Sequence, residues 1–162
     1  MIDATIPVFP NNVVDLIAAR SQSIDADLFV TKRPLRSSDP RQSVGVYSSL
    51  WTPDERSYEF DGNLPGIPTL QQYMIIGQGF VKDGDEESGL AVHSVLSNRI
   101  RAMLYKDNPL QVAFRGLSAS SGTITERMRR WGVRSQRYFS NEIDAQWLYL
   151  STLEFWMETE TM

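Results

Sequence analysis

The 162-residue sequence contains no cysteine and a single histidine, His93. Without cysteine the chain forms no disulfides, has no thiolate nucleophile and offers zinc no sulfur ligands. A lone histidine with no second candidate base nearby in the sequence is usually a surface or helix-edge residue, so His93 is not expected to be catalytic. The sequence therefore predicts no enzyme activity, no metal site and no cofactor.

Long apolar runs are also missing, because no stretch approaches the roughly 20 residues that span a bilayer. The N-terminus lacks the basic start and apolar core of a signal peptide. The formal net charge of −4 argues against a surface that coats nucleic acid, although it allows a local basic patch. We therefore expect one folded, intracellular domain over residues 1–162 that does not associate with membranes.

The chain is organised around the segment from Leu70 to Tyr105. An extended apolar run ends at the turn Lys82-Asp83-Gly84-Asp85, where Asp85 can cap a helix that carries acids in its first turn. Asn108-Pro109 is expected to end this helix. Apolar residues recur between these limits at helical spacing, at Val92, Leu96, Ile100, Met103 and Leu104. A strand followed by an amphipathic helix predicts an α/β domain.

Two features near this turn superficially suggest a ligand site. The acids from Asp83 to Glu87 lack the spaced oxygen ligands of a calcium-binding loop, and capping of a helix is their commoner role. The glycines of Gly77-Gln78-Gly79 lack the third glycine and the helix start of a dinucleotide-binding fingerprint. Neither feature predicts a site.

The N-terminal half contains further predicted elements around two variable loops. We predict a helix over 12–22, a short strand over 27–31, a solvated and mobile connection over 32–43, and a hairpin that starts at Val44 and returns through Tyr58 and Phe60. The second variable loop, 61–69, is rich in proline and glycine. It contains Leu64 and Ile67, apolar residues that either their own domain or a partner chain must cover.

The C-terminal half is mostly extended. Helical character is predicted over 110–114, and a flexible small-residue stretch over 118–122. In the strand that starts at Thr123, strict alternation places Arg127, Arg129, Trp131 and Val133 on one face and Met128, Arg130 and Arg134 on the other. The last run, 145–161, is apolar on both faces, which predicts an interior strand that contacts the main helix. Ser140-Asn141-Glu142 is expected in the turn between these two strands.

The charged residues of these two strands form the candidate interface. The arginines are Arg127, Arg129, Arg130 and Arg134, and the acids of the last strand are Glu154, Glu158 and Glu160. If the two strands are antiparallel neighbours, these charges neutralise one another within a subunit. Alternatively, the acids of one subunit face the arginines of the next, or the arginines bind DNA or an acidic protein.

The residues from Leu70 onward resemble a tail terminator protein of long-tailed, siphovirus-type bacteriophages. The resemblance covers most of the chain apart from the two variable loops, and the opening helix with Asn12-Val13-Val14-Asp15-Leu16-Ile17 fits it as well. It is carried by the segments Gly79-Phe80-Val81-Lys82-Asp83-Gly84-Asp85-Glu86-Glu87, His93-Ser94-Val95-Leu96 to Ala102-Met103-Leu104-Tyr105, Glu126-Arg127-Met128-Arg129-Arg130-Trp131-Gly132-Val133-Arg134, and Leu148-Tyr149-Leu150-Ser151-Thr152-Leu153 through Glu158-Thr159-Glu160.

The resemblance implies a structural virion protein of the α+β type, with a mostly antiparallel sheet and helices packed on one face. Such proteins form a homo-oligomer, a hexameric ring that caps the tube of the major tail protein, ends its polymerisation and offers a surface to the neck protein of the head. Genome DNA passes through the ring without sequence-specific binding. The expected location is the neck end of the virion tail, and the host cytoplasm during assembly. Alternatives are another neck ring, namely a head-closure or connector protein, or a non-viral binding module.

Overall fold

The computed structural model describes residues 9–49, 69–121 and 124–161. The predicted hairpin beyond 49 and the loop with Leu64 and Ile67 lie outside these ranges. The described helices and strands follow the chain as α1 Phe9–Gln22, β1 Phe29–Thr31, β2 Gln42–Ser49, β3 Thr69–Asp83, α2 Glu86–Lys106, α3 Asn108–Arg115, β4 Ser118–Ser121, β5 Ile124–Ile143 and β6 Gln146–Thr161.

The described strands form one sheet in the order β1-β2-β3-β6-β5-β4. Only β1 and β2 are parallel, and every other neighbouring pair is antiparallel. Helix α1 packs against β2, α2 against β3 and β6, and α3 against β5. The predicted α+β fold, with a mostly antiparallel sheet and helices on one face, is confirmed.

The core lies between this helical layer and the inner face of the sheet. On the central strand β6, Tyr149, Leu153 and Phe155 are buried, as alternation predicts, and they meet Leu96 and Ile100 of α2 in one apolar cluster. Burial of each such side chain contributes about 1.5–3 kcal/mol. The predicted stripe of α2 is therefore confirmed as the face that attaches it to the sheet.

Two glycines allow α2 to approach the sheet closely. A Cβ atom at Gly89 of α2 would lie 2.8 Å from both Cβ of Asp83 and Cε2 of Tyr149. A Cβ atom at Gly79 of β3 would lie 3.1 Å from Cδ1 of Ile100 in α2 and 2.9 Å from Oγ of Ser151 in β6. Gly79 is thus part of a helix–sheet contact and not of a nucleotide-binding loop.

The two ends of α2 are fixed by aspartates. Asp85 is the predicted N-cap, and its Oδ2 accepts a hydrogen bond of 2.8 Å from the Ser88 backbone nitrogen. Asp107 caps α3 through the Leu110 nitrogen at 2.9 Å, and the same carboxylate accepts two bonds of 2.6 and 2.9 Å from Arg20 of α1. The Arg20 guanidinium therefore lowers the pKa of Asp107 and ties α1 to the junction between α2 and α3.

Most residues of the connection 32–43 are exposed, as predicted, but the connection also packs on the sheet through a few side chains. Asp39 is buried and accepts bonds of 2.6 and 3.0 Å from Arg33, which hold the pKa of its carboxyl at about 2. Leu35 lies against Gly45, and its nitrogen donates to Oε1 of Gln78 at 2.9 Å. The connection therefore covers the outer sheet face over β2 and β3, and its last two residues belong to β2.

Three predicted boundaries are wrong. Helix α1 already includes Phe9, whose buried ring extends the apolar face. The small-residue stretch from Ser118 forms β4, because it gains hydrogen bonds from β5 as a partner. Ser140 to Glu142 remain in β5, and the turn is formed by Asp144 and Ala145, with φ of 52° and 60°. Positive φ at both positions suits the right-handed twist of a two-residue hairpin.

Candidate assembly surface

Two β-bulges in β5 set the directions of the arginines. Pairing with β6 skips one residue between Met128 and Arg130 and another between Val133 and Ser135. Arg129 and Arg134 are therefore the extra residues of the bulges. Met128 is buried, and Trp131 and Val133 pack against the same core. The prediction that Met128 faces away from Trp131 and Val133 is wrong, because a bulge shifts the alternation by one residue.

The outer face of the sheet carries two arginine–glutamate pairs between β5 and β6. Arg127 is opposite Glu160 and donates bonds of 3.0 and 2.8 Å to its Oε2. Arg130 is opposite Glu158 and donates bonds of 3.2 and 2.6 Å to its Oε2. The predicted antiparallel pairing is confirmed, and it brings these charges together within one subunit.

Glu158 is the most buried member of these pairs, at 3% exposure. Arg129 approaches its other oxygen, Oε1, only to 3.9 Å, and Oε1 has no hydrogen-bond partner among the described atoms. A buried carboxylate oxygen without a partner costs free energy. The two arginines beside Glu158 offset that cost through charge.

The remaining candidate residues are not paired in this way. Glu154 is half-buried opposite Ser135 and forms no ion pair with any described residue. Arg134 is exposed and likewise has no ion-pair partner among the described residues, because its bulge turns it away from Glu154. Instead, Arg134 lines a groove between β5 and α2.

This basic groove has a volume of about 680 Å³ and is formed where α2 passes over β5. Arg101 and Lys106 of α2 and Arg134 of β5 supply positive charge, and no acid lines the described part of the groove. Tyr105 and Val133 supply apolar surface. Nε2 of Gln136, which also lines the groove, is buried without a hydrogen-bond partner among the described atoms. The groove therefore suits an acidic, partly apolar protein segment.

The opposite charge is concentrated at the other end of α2. Trp147 of β6 pairs with Asp83 on one side and with Glu142 on the other, so the start of α2 and the β5–β6 turn lie at the same end of the sheet. Burial raises the pKa of the Tyr149 hydroxyl, and the nearby carboxylates of Glu86, Asp83 and Asp85 raise it further. We define this acidic end by its exposed carboxylates, Asp85, Glu86, Glu87, Glu142 and Asp144.

Arg41 neutralises only part of this end. It forms an ion pair with the buried Asp83, and the two hydrogen bonds to Asp83 from Asp85 nitrogen and Arg41 lower the pKa of that carboxyl. None of the five acids that define the acidic end forms an ion pair within the described part of the chain. A subunit thus carries separate unpaired charges of opposite sign.

His93 is buried, in contrast to the expected surface or helix-edge position. Its ring stacks on Tyr149 at a centroid distance of 5.7 Å, and Nε2 lies 3.3 Å from Oγ of Ser97. Ser97 donates to Ser151 at 2.9 Å, and Ser151 donates to the Gly79 carbonyl at 3.4 Å. Burial lowers the pKa of His93, which keeps the imidazole neutral.

This histidine–serine network lies beneath α2 and satisfies polar groups within the core. Ser97 and Ser151 are each 1% exposed, and none of the described groove residues belongs to the network. A signal for it exists in the sequence, because Gly89, His93, Ser97 and Ile100 recur at helical spacing beside the apolar stripe.

Neither a metal-binding cluster nor a membrane-spanning helix is found among the described residues. Among them, no group of three or more histidine, aspartate or glutamate side chains is arranged to hold a metal ion. In the same part of the chain, no helix is both long and apolar enough to cross a membrane.

Comparison with known proteins gives little information. The sequence matches no protein-family model and no curated protein. A chain from a solved structure titled "Virion of native gene transfer agent (GTA) particle" is 10% identical, with 88% of this chain and 91% of that chain covered and a TM-score of 0.43. A second solved chain is 12% identical, with coverages of 94% and 95% and a TM-score of 0.41. Both similarities are too weak to support an argument about function.

Proposed function

We propose that this protein is a structural component of a bacteriophage virion and acts as its tail terminator. A ring of six copies binds the last turn of the tail tube, prevents addition of another tube subunit and presents its opposite side to the neck of the head. The protein has no catalytic role in this proposal. Genome DNA passes through the ring and is not read by sequence.

The observation that carries this proposal is the separation of unpaired charge on one subunit. The basic groove and the acidic end lie at different places along α2 and are complementary to each other. A contact between two different surfaces of identical subunits repeats by rotation and produces a ring when the rotation closes. The sequence resemblance to tail terminators supports the same assignment.

The test is removal of the gene from the phage that encodes it, followed by electron microscopy of the lysate. We expect tail tubes longer than normal and separate, DNA-filled heads, because tube growth no longer stops and the joining surface is missing. Supply of the wild-type protein from a plasmid should restore joined particles of normal length.

Two other results would contradict the proposal. Tails of normal length that lack heads would assign the protein to another ring of the neck, such as a head-closure protein. Normal particles would exclude an essential part in tail completion altogether.

A further inference from the structure

We infer that the basic groove of one subunit binds the acidic end of the next copy of the same chain. This inference rests on the proposed ring and specifies the two surfaces that form its repeating contact.

Charge is the first support. Arg101, Lys106 and Arg134 converge on the groove, and none of them forms an ion pair with a described residue. The acidic end presents exposed carboxylates that are equally unpaired within the described ranges. Each surface therefore offers the charge that the other one needs, and electrostatic complementarity of this kind selects both the partner and the orientation.

Distance is the second support. From Glu86 to Arg101 the rise along α2 is about 22 Å, at about 1.5 Å per residue. The two surfaces of one folded chain consequently stay apart, and only a second copy brings them together. Since the two surfaces differ, each subunit can use both at once, one toward each neighbour.

The lining of the groove is the third support. Gln136 lines the groove, and its Nε2 is a buried donor without a partner among the described atoms. A turn of this side chain toward the groove lets Nε2 donate to an incoming carboxylate oxygen. Tyr105 and Val133 can contact the aliphatic part of an incoming glutamate. The groove volume of about 680 Å³ accepts several side chains.

A nucleic acid fits this surface less well. Arg127 and Arg130 of the same strand are held by Glu160 and Glu158 on the outer face, so they do not extend the basic groove. The protein as a whole carries a formal charge of −4, which repels a phosphate backbone. An acidic protein surface is therefore the occupant that the charges favour.

A charge exchange between two variants tests the contact in the complete virion. Variant one carries Arg101→Glu and Arg134→Glu in the groove. Variant two carries Glu87→Lys and Glu142→Lys at the acidic end. Supplied alone to the gene-deleted phage, each should lower the yield of joined particles by about tenfold or more, since like charges then meet at every contact.

The two variants supplied together should restore the yield. In an alternating ring of an even number of copies, the reversed groove of variant one meets the reversed end of variant two, and the two unchanged surfaces meet at the other contact. Arg99→Glu with Arg115→Glu is the matched control, because it makes the same change of charge at exposed positions outside the groove.

Disulfide trapping gives a second readout that does not depend on repulsion. The chain has no cysteine, so the only thiols are those introduced by two substitutions. Ala102→Cys places one in the lining of the groove, and Ser88→Cys places one beside the acidic end. Oxidised tails that carry both substitutions should yield a ladder of linked subunits, whereas either single variant should stay monomeric.

The outcomes separate this inference from the proposed function. If the mixture does not restore joined particles and no disulfide ladder forms, the inferred contact is wrong. The proposed function would still stand in that case, provided that wild-type tails are capped. A second result would also overturn the inference. If the wild-type protein binds duplex DNA, variant one does not, and variant two fails to restore the yield of joined particles, the groove is assigned to nucleic acid. Tails of normal length after deletion of the gene would instead reject the terminator function.

Discussion

Nη2 of Arg130 lies 2.6 Å from Oε2 of Glu158 on the outer face of the sheet, and Glu158 is almost completely shielded from water there. A buried carboxylate that loses its partner keeps its desolvation cost. The neighbouring pair, Arg127 with Glu160, has nearly the same geometry, but its carboxylate is more exposed, at 17% of the side chain against 4% for Glu158. Comparison of the two pairs therefore separates the effect of carboxylate burial on stability from the effect of the arginine–glutamate contact itself.

The first prediction compares these pairs. Arg130→Ala should lower the free energy of unfolding by about 1–3 kcal/mol, because Glu158 is left buried with only the more distant Arg129. Arg127→Ala should cost only about 0–1 kcal/mol, since water replaces the lost partner. Urea denaturation followed by circular dichroism measures both. Equal losses would show that the burial of Glu158 does not control the strength of the pair.

The second prediction concerns His93. Because burial lowers its pKa in the folded protein, the unfolded chain binds a proton first as the pH falls below about 6.5. Unfolding is then favoured, so the free energy of unfolding should fall between pH 7 and pH 5. His93→Phe should reduce that slope, although it removes the bond to Ser97.

The same titration can be observed directly. The protein has one histidine, so a single imidazole C–H signal in a proton NMR spectrum reports its protonation. A signal that shifts with a midpoint at or above the ordinary histidine value would contradict the buried, neutral assignment.

The third prediction concerns the contact between α2 and the sheet. Gly89→Ala should destabilise the protein by about 1–3 kcal/mol, because the added methyl group would clash with Asp83 and Tyr149 and force both side chains to move. Gly84→Ala is the control, since a Cβ atom there has open space. Thermal unfolding compares the two, and an unchanged or raised Tm for Gly89→Ala would show that α2 is free to shift outward.

The fourth prediction concerns the turn between β5 and β6. Ala145 has a φ of 60°, in the left-handed region where an L residue other than glycine is strained by about 1–2 kcal/mol. Ala145→Gly should raise the free energy of unfolding by about 0.5–1 kcal/mol, because the relief exceeds the added freedom of the unfolded chain. Ala119→Gly in β4 serves as the opposite control and should be destabilising. A loss of stability in Ala145→Gly would argue against the two-residue turn.

Much of the helical layer was predictable from the sequence, because burial of one helix face leaves a clear pattern. The stripe from Val92 to Leu104 and the cap at Asp85 locate α2 correctly. The two apolar faces of β6 likewise identify it as an interior strand.

The direction of the arginines was less predictable. A bulge inserts one unpaired residue, and an arginine at position 129 or 134 is not a residue type that marks a bulge, so alternation alone assigns the wrong face. The basic groove was missed for a different reason. Arg101 and Arg134 come together only when α2 packs across β5, and nothing local in the sequence records that crossing.

The two bulges also make the length of β5 adjustable without a change in which side chains meet the core. Removal of Arg129 would leave Met128 and Arg130 as consecutive partners of Thr159 and Glu158, so every later residue would keep its orientation. The same holds for Arg134 between Val133 and Ser135. Loss of one residue at either position is therefore compatible with the β5–β6 pairing, although loss of Arg134 would also remove one positive charge from the basic groove.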